Sequence, residues 1–405
     1  MNRQIMMTLT LAALTAAGTA TLAGAQSFSV QTIMSGLSNP RGLAFAPDGS
    51  LYVTEAGVGG FGPSFEDGAG VTVSYGETGG LSRWLNGSQT RLINNLPSVA
   101  DRANGAPGGG SGGLTGITFA PNGTAYGVIN FGGEFDQRGG LIAAGATKAA
   151  QLGTVVQFDF GTNSFTSVAD ITAYAKANNL QGPTQTGRPE SNPYGLTALK
   201  GGGVAVVDAG GNFVAITNSA NQVISHVKLP NYPNLTFNPN NPATGGPTYQ
   251  AVPTSIVEGP DGTLYVSELG GYPFTVGGEH ITMIKNGVIT GRLNGFTNLM
   301  DVEYFEGNLY ALQLDTNGLT GATGPGPGQL LKINPLTGVS TLLYNGLSFP
   351  GGLAIGADHA FYVTNNSVAP GFGSVIRIQE VPEPGTFALV FGMLGGAAFV
   401  LRRRK

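Results

Sequence analysis

Short apolar runs separated by tight polar turns recur along the chain, and one phrase of this kind occurs six times. A small or proline-containing approach leads into an apolar run, then a polar turn, then a second apolar run. The copies begin NPRGLAFAPDGSLYVTEA at Asn39, LTGITFAPNGTAYGVIN at Leu114 and NPYGLTALKGGGVAVVDAGGN at Asn192. They continue with VPTSIVEGPDGTLYVSEL at Val252, NLMDVEYFEGNLYALQL at Asn298 and FPGGLAIGADHAFYVTNN at Phe349. Alignment on Leu43, Ile117, Leu196, Ile256, Val302 and Leu353 gives steps of 74, 79, 60, 46 and 51 residues. The shorter steps suit a four-stranded antiparallel blade, and radial repetition of blades makes a propeller. The pattern predicts an all-β fold, a six-bladed β-propeller.

Within each copy the apolar runs are the inner strand and its partner, residues 42–45 and 51–54 in the first, joined by turns such as Pro47-Asp48-Gly49. Third strands are expected at 81–85, 155–160, 213–217, 281–284, 330–333 and 375–378, with fourth strands across short turns such as Asn286-Gly287. The sixth copy has no fourth strand. Residues 28–34 form a spare strand before the first copy, and the economical inference is that it completes the last blade and closes the ring. In this strand order all the long connections, 55–80, 98–113, 131–152, 176–192, 230–251, 268–280 and 313–328, fall on one face. Loops on a rigid scaffold are where binding residues concentrate.

Composition agrees: 67 Gly and 10% charged residues in 405 suit a turn-rich β protein, and the glycines follow no three-residue period. No cysteine is present, which excludes disulfides and thiolate metal sites. Residues 1–25 carry Arg3, an apolar stretch and Ala23-Gly24-Ala25, the pattern of a secretory signal peptide. Residues 26–380 are then the propeller, and 381–405 a terminal signal: Pro382-Glu383-Pro384, an apolar run and Arg402-Arg403-Arg404-Lys405. The run is short for a membrane span but adequate with snorkelling arginines, and the basic tail should stay cytoplasmic. Without both ends Lys+Arg falls from 19 to 14 and Asp+Glu from 23 to 22, about −8 net. That balance argues against nucleic acid as a partner.

Polar residues at the mouth of the channel come from the approach to each inner strand and from the end of its partner. Arg41, Asn192, Tyr194, Asn298 and Asp301 belong to the first set; Glu55, Asp208, Glu268 and Asn365 to the second. A ring of carboxylates and amides is suitable oxygen chemistry for Ca²⁺, and Glu55, Asn192, Asp208, Glu268, Asn298 and Asp301 are its candidate ligands. The alternative is that these residues satisfy backbone groups in turns. Aromatic residues on the same face, Phe61, Phe131, Phe135, Tyr194, Tyr272 and Phe274, could either hold an apolar ligand or pack the loops. Gly57–Gly62 matches a dinucleotide pattern without a following helix, Gly109–Gly113 a nucleophile elbow without its strand–turn–helix setting, and His226, His280 and His359 lack zinc spacing.

The terminal segment resembles the PEP-CTERM sorting signal of exported bacterial proteins, which implies an exosortase partner, membrane association through the C-terminal helix before processing, and removal near Pro382–Pro384. The chain as a whole resembles the ScyD/ScyE family of exported propellers. The matching stretches are GLSNPRGLAFAPDGSLYVTEAG from Gly36, SNPYGLTALKGGGVAVVDAGGN from Ser191, QAVPTSIVEGPDGTLYVSELGGYPFTVGG from Gln250, GFTNLMDV from Gly295 and PGGLAIGADHAFYVTNN from Pro350. The family often holds a cysteine pair in its first long loop; here residues 64–75 have none. The resemblance implies an envelope or matrix protein in the periplasm, at the cell surface or outside it. Its ligand would be a scytonemin-type pigment precursor, an exopolysaccharide or a protein, and no catalytic residues carry over. Three readings therefore stand: a non-catalytic binding propeller, a Ca-type lactonase or esterase with its site at the channel mouth, and a structural matrix component.

Overall fold

A computed structural model describes residues 27–101, 108–180, 189–321 and 323–381; the signal-peptide, PEP and basic-tail assignments lie outside the described residues. The six aligned apolar positions occupy one register. Leu43 pairs with Val53, Ile117 with Gly127, Leu196 with Val206, Ile256 with Val266, Val302 with Ala311 and Leu353 with Val363. Each pair belongs to the two inner strands of one antiparallel blade, and the six blades form a propeller. Its second strands lie within the blades, between the first and third strands of each sheet. Every residue of Leu51–Glu55, Ala125–Ile129, Val204–Asp208 and Leu264–Glu268 is buried. Each fully buried Val or Leu there contributes roughly 1.5–3 kcal/mol.

The last blade is ordered Ser27–Leu37, Gly373–Val381, Phe361–Asn365, Leu353–Ile355 from outside to inside. The N-terminal strand thus completes it, as expected. Met34 and Leu37 are buried in a cluster shared with Leu43, Leu51 and Val53 of blade 1 and Tyr362 and Val375 of blade 6.

Five blades carry a β-bulge at one common place, where the inner strand starts. A bulge leaves a residue unpaired and re-aims its side chain. The residues so placed are Arg41, Thr115, Tyr194, Thr254 and Met300, and the last four line the central channel. Their carbonyls and hydroxyls also stitch blade to blade. Thr364 Oγ1 donates to Arg41 O at 2.9 Å, Thr54 Oγ1 to Thr115 O at 3.2 Å and Thr115 Oγ1 to Tyr194 O at 2.7 Å.

The long-loop face is more ordered than a set of loops. Residues 72–80, expected in a connection, are strand: Thr72–Leu85 and Ser88–Asp101 form a long ribbon with Ser64–Glu66. Two short helices, α1 (Gln137–Ala143) and α2 (Ile171–Ala177), and the small pairs Gly133–Glu134 with Glu190–Ser191 and Tyr232–Pro233 with Thr248–Tyr249 lie in the other connections.

Candidate functional site

Most of the polar ring serves the blades themselves. Glu55, Gln313 and Asn365 end the second strands of blades 1, 5 and 6. They accept from the backbone N–H of Ser38 at 2.9 Å, Thr297 at 2.9 Å and Ser348 at 2.7 Å, three equivalent positions. Glu55 is further held by Ser82 Oγ at 2.6 Å and by Arg91 at 3.0 Å. Asp208 accepts from Ser191 Oγ at 2.6 Å, Asn192 N at 2.8 Å and Gly211 N at 2.7 Å. Asn298 donates from Nδ2 to Leu269 O at 2.9 Å. Buried carboxylates held this way cap backbone ends.

The six expected Ca²⁺ ligands are consequently not gathered at the channel mouth. Among the described residues no three His, Cys, Asp or Glu side chains are placed to hold one ion. Glu55 and Asp208 spend their oxygens on hydrogen bonds, so this set does not fit the cation.

Three of the cavities along the axis and the long-loop face bear on the candidate residues. The channel, about 130 Å³, is lined by the inner strands of five blades and by Gly351 ahead of the sixth, and carries Asp301 and Glu303. Asp301 Oδ2 accepts from Leu353 N at 2.7 Å, and burial pushes its carboxyl up; burial and then the Asp301 charge push Glu303 up. At the mouth, a cavity of about 310 Å³ brings together Arg41, Asn192 and Tyr194, three of the sequence-predicted residues, with Asp67 and Glu190. The Arg41 guanidinium donates to the carbonyls of Ser367 and, at 3.2 Å, Ser111. Asn130 donates to the Asn192 side-chain oxygen.

The third cavity is a cleft of about 430 Å³ between the loops that flank the first two strands of blade 4. Tyr249, Tyr272 and Phe274 form an aromatic side; Asn192, Asn231, Gln250 and Glu190 supply amides and one carboxyl. The rings are fixed. Tyr249 Oη donates to Gly278 O at 2.7 Å, Tyr272 Oη donates to Ala243 O at 2.7 Å, and the Tyr272 and Phe274 rings meet edge to face with centroids 6.3 Å apart. Glu190 belongs to both this cleft and the mouth cavity. Its carboxyl is pushed up to about 7, first by burial and then by the charges of Asp208 and Asp67. Gly68 allows that approach: a Cβ there would stand 1.1 Å from Glu190 Oε2.

Of the predicted residues, then, Arg41, Asn192, Tyr194 and Phe274 line mouth or cleft, and Asp301 the channel. Glu55, Asp208, Glu268, Asn298 and Asn365 are set in blade ends. Phe61 is 78% exposed, and Phe131 is core. Sequence reasoning missed Glu190, Tyr249, Gln250 and Glu303. The signal for Glu190 was its place directly before the Ser191-Asn192 approach; Glu303 could have been found by the alternation of the fifth inner strand.

The C-terminal residues 380–405 match the PEP-CTERM protein-sorting motif. The chain carries a PEP-CTERM sorting signal. The motif marks an exported protein sorted to the cell envelope and implies processing by an exosortase. No curated protein matches the chain in sequence. Among solved structures, a Thermus thermophilus protein described as an oxidoreductase (glucose dehydrogenase) is 16% identical with a TM-score of 0.50, covering 87% of this chain and 100% of its own. The apo-form soluble aldose sugar dehydrogenase of Escherichia coli is 13% identical, TM-score 0.48, over 88% of this chain and 100% of its own. A Trichoderma reesei protein of carbohydrate-active enzymes family AA12 is 10% identical, TM-score 0.47, over 87% and 96%. At these identities the first of these likenesses shows the propeller fold and nothing finer.

Proposed function

We propose that this PEP-CTERM propeller is an exported binding protein whose ligand, an envelope polysaccharide, seats in the long-loop cleft beside the channel. The observation that carries the reading is the cleft's composition. Fixed aromatic rings and uncharged amides line one cleft, Tyr249, Tyr272 and Phe274 together with Asn231 and Gln250. Rings stack on the apolar faces of sugar rings while amides bond hydroxyls, and loop-borne sites on a rigid scaffold suit this. The PEP-CTERM signal supports a ligand of the cell envelope. The test is an array of neutral and acidic oligosaccharides, an indole-phenol pigment precursor and envelope proteins, probed with the full-length chain in mild detergent. Saturable binding to saccharides is expected; binding confined to the aromatic compound or to proteins would overturn the saccharide assignment.

One observation favours a hydrolytic second reading. Glu190 sits between cleft and mouth with a carboxyl near neutrality, as a general acid–base group requires. This reading no longer draws on Glu55 or Asp208. It expects turnover of lactone or ester substrates that Glu190→Gln removes while leaving saccharide binding within about threefold. No turnover in the unsubstituted chain would dismiss it.

A further inference from the structure

Blades 1 and 4 are built on the same plan, and they differ in how directly an arginine meets the strand-end carboxylate: in blade 4 Arg292 reaches Glu268 only through Tyr232 and its field. Glu55 and Glu268 both end second strands. Each accepts from a hydroxyl on the third strand at 2.6 Å, Ser82 in blade 1 and Thr282 in blade 4. Arg91 and Arg292 are likewise equivalent, paired across from Ser82 and Thr282. In blade 1 Arg91 completes the site with an ion pair to Glu55. In blade 4 Arg292 turns to Tyr232, with Nε donating to its hydroxyl at 3.1 Å and the guanidinium 5.4 Å from its ring. No ion pair to Glu268 takes its place among the described residues.

Blade 4 then adds a second acid. Glu279 starts the third strand, three residues before Thr282, where blade 1 has Gly79. It is fully buried, and neither of its oxygens has a hydrogen-bond partner. Glu268 Oε2 and Asn298 Oδ1 are also buried without partners. These groups are neighbours. Glu279 pairs with Phe296, two residues before Asn298; the Asn298 amide bonds Leu269 O; and a Cβ on the next residue, Gly270, would stand 1.9 Å from Glu279 Oε1. Gly270, at φ 74°, lets the loop close over the carboxylate.

The orphaned oxygens of Glu268, Glu279 and Asn298 are all acceptors, and the nearby His280 Nδ1 is unpartnered as well. A buried polar group without a partner costs free energy, and a buried charge costs more. Two carboxylates and an amide oxygen are hard ligands that balance a doubly charged cation. We infer that Glu268, Glu279 and Asn298 form a buried site for a divalent oxygen-seeking cation of the Ca²⁺ type, which fastens the loop carrying Tyr272 and Phe274 to the third strand of blade 4. The site lies beneath Leu269 and Gly270, which line the cleft, and its occupancy is read independently of what the cleft binds.

The test uses the full-length protein in mild detergent after chelator treatment, with Tb³⁺ and Ca²⁺ as probes. Tyr232 and Tyr249 flank the carboxylates and would sensitise Tb³⁺ emission. Saturable tyrosine-excited Tb³⁺ luminescence, displaced by Ca²⁺, is expected, together with a higher melting temperature in Ca²⁺. Glu279→Gln removes a repulsive charge and should stay folded while weakening Tb³⁺ binding at least about tenfold, the loss of one charged ligand. Glu268→Gln should do the same, and Glu55→Gln should leave Tb³⁺ binding unchanged. Absence of saturable luminescence in the unsubstituted protein would overturn the proposal, with the two acids then sharing a proton. Luminescence that survives both blade-4 substitutions would also overturn it.

Discussion

Asn39 and Asn298 stand four residues before the aligned apolar position in blades 1 and 5, with φ of 52° and 45°. This left-handed conformation is one that asparagine tolerates, which gives both positions a backbone reason for asparagine whatever else the side chain does. Val252 and Phe349 hold the same place in blades 4 and 6, at φ 50° and 42°. A β-branched residue there is strained, and Val252→Asn is expected to raise stability by roughly 1 kcal/mol, read from a denaturant midpoint. Glu268 and Glu279 give a second residue-scale expectation. Their carboxyls are pushed up to about 7 and about 9, chiefly by burial. The neighbouring titratable groups are Tyr232 and Tyr249, whose hydroxyls burial pushes up, His280, whose imidazole burial pushes down, and Arg292. A carboxyl raised in the folded state stabilises fully below its unfolded value and loses that contribution as pH rises through its folded value. In chelator the melting temperature should therefore fall between about pH 5 and pH 9, in line with the two shifts. Ca²⁺ should flatten the fall, and Glu279→Gln should abolish most of it.

At the scale of elements, the strand Ser27–Leu37 closes the ring by covering Gly373–Val381. Its deletion would expose an unpaired edge and uncover Leu43 and Leu51, which it helps bury. The expected result is loss of the monomer peak and aggregation on size-exclusion chromatography; an unchanged monomer would mean that the blade closes without it. This strand, the six inner pairs and the shared face of the long loops were legible in the sequence, because alternating apolar runs and Gly-containing turns are local signals. The long ribbon of blade 1 was not. Thr72–Gly80 contains three glycines and a charged residue, and it is strand only because Ser88–Asp101 and Ser64–Glu66 pair with it. The site was less legible still. A carboxylate at a strand end reads the same whether it caps a neighbour, as Glu55 and Asp208 do, or is left with an unpartnered oxygen, as Glu268 is. Only the partner set separates the cases, and that set comes from residues 14 to 36 positions away.

For the whole molecule, the closed ring fixes six blade ends and sets every long connection on one side. The propeller thereby converts tolerated insertions into one recognition face, with the channel below it and a PEP-CTERM signal directing the protein to the envelope. On the proposed reading the aromatic cleft holds a chain of sugars, and Glu190, which lines both the cleft and the mouth cavity, is the group through which any chemistry would enter. The central claim is that ligand binding takes place in this cleft. The most direct test is calorimetric titration of the full-length chain, unsubstituted and with Tyr272→Ala plus Phe274→Ala, using oligosaccharides released from the exopolysaccharide of the producing cell. Loss of both rings should weaken binding by roughly 1–3 kcal/mol, about fivefold to 150-fold, with the melting temperature little changed. Equal affinity in the two proteins, or no saccharide binding in the unsubstituted chain, would contradict it.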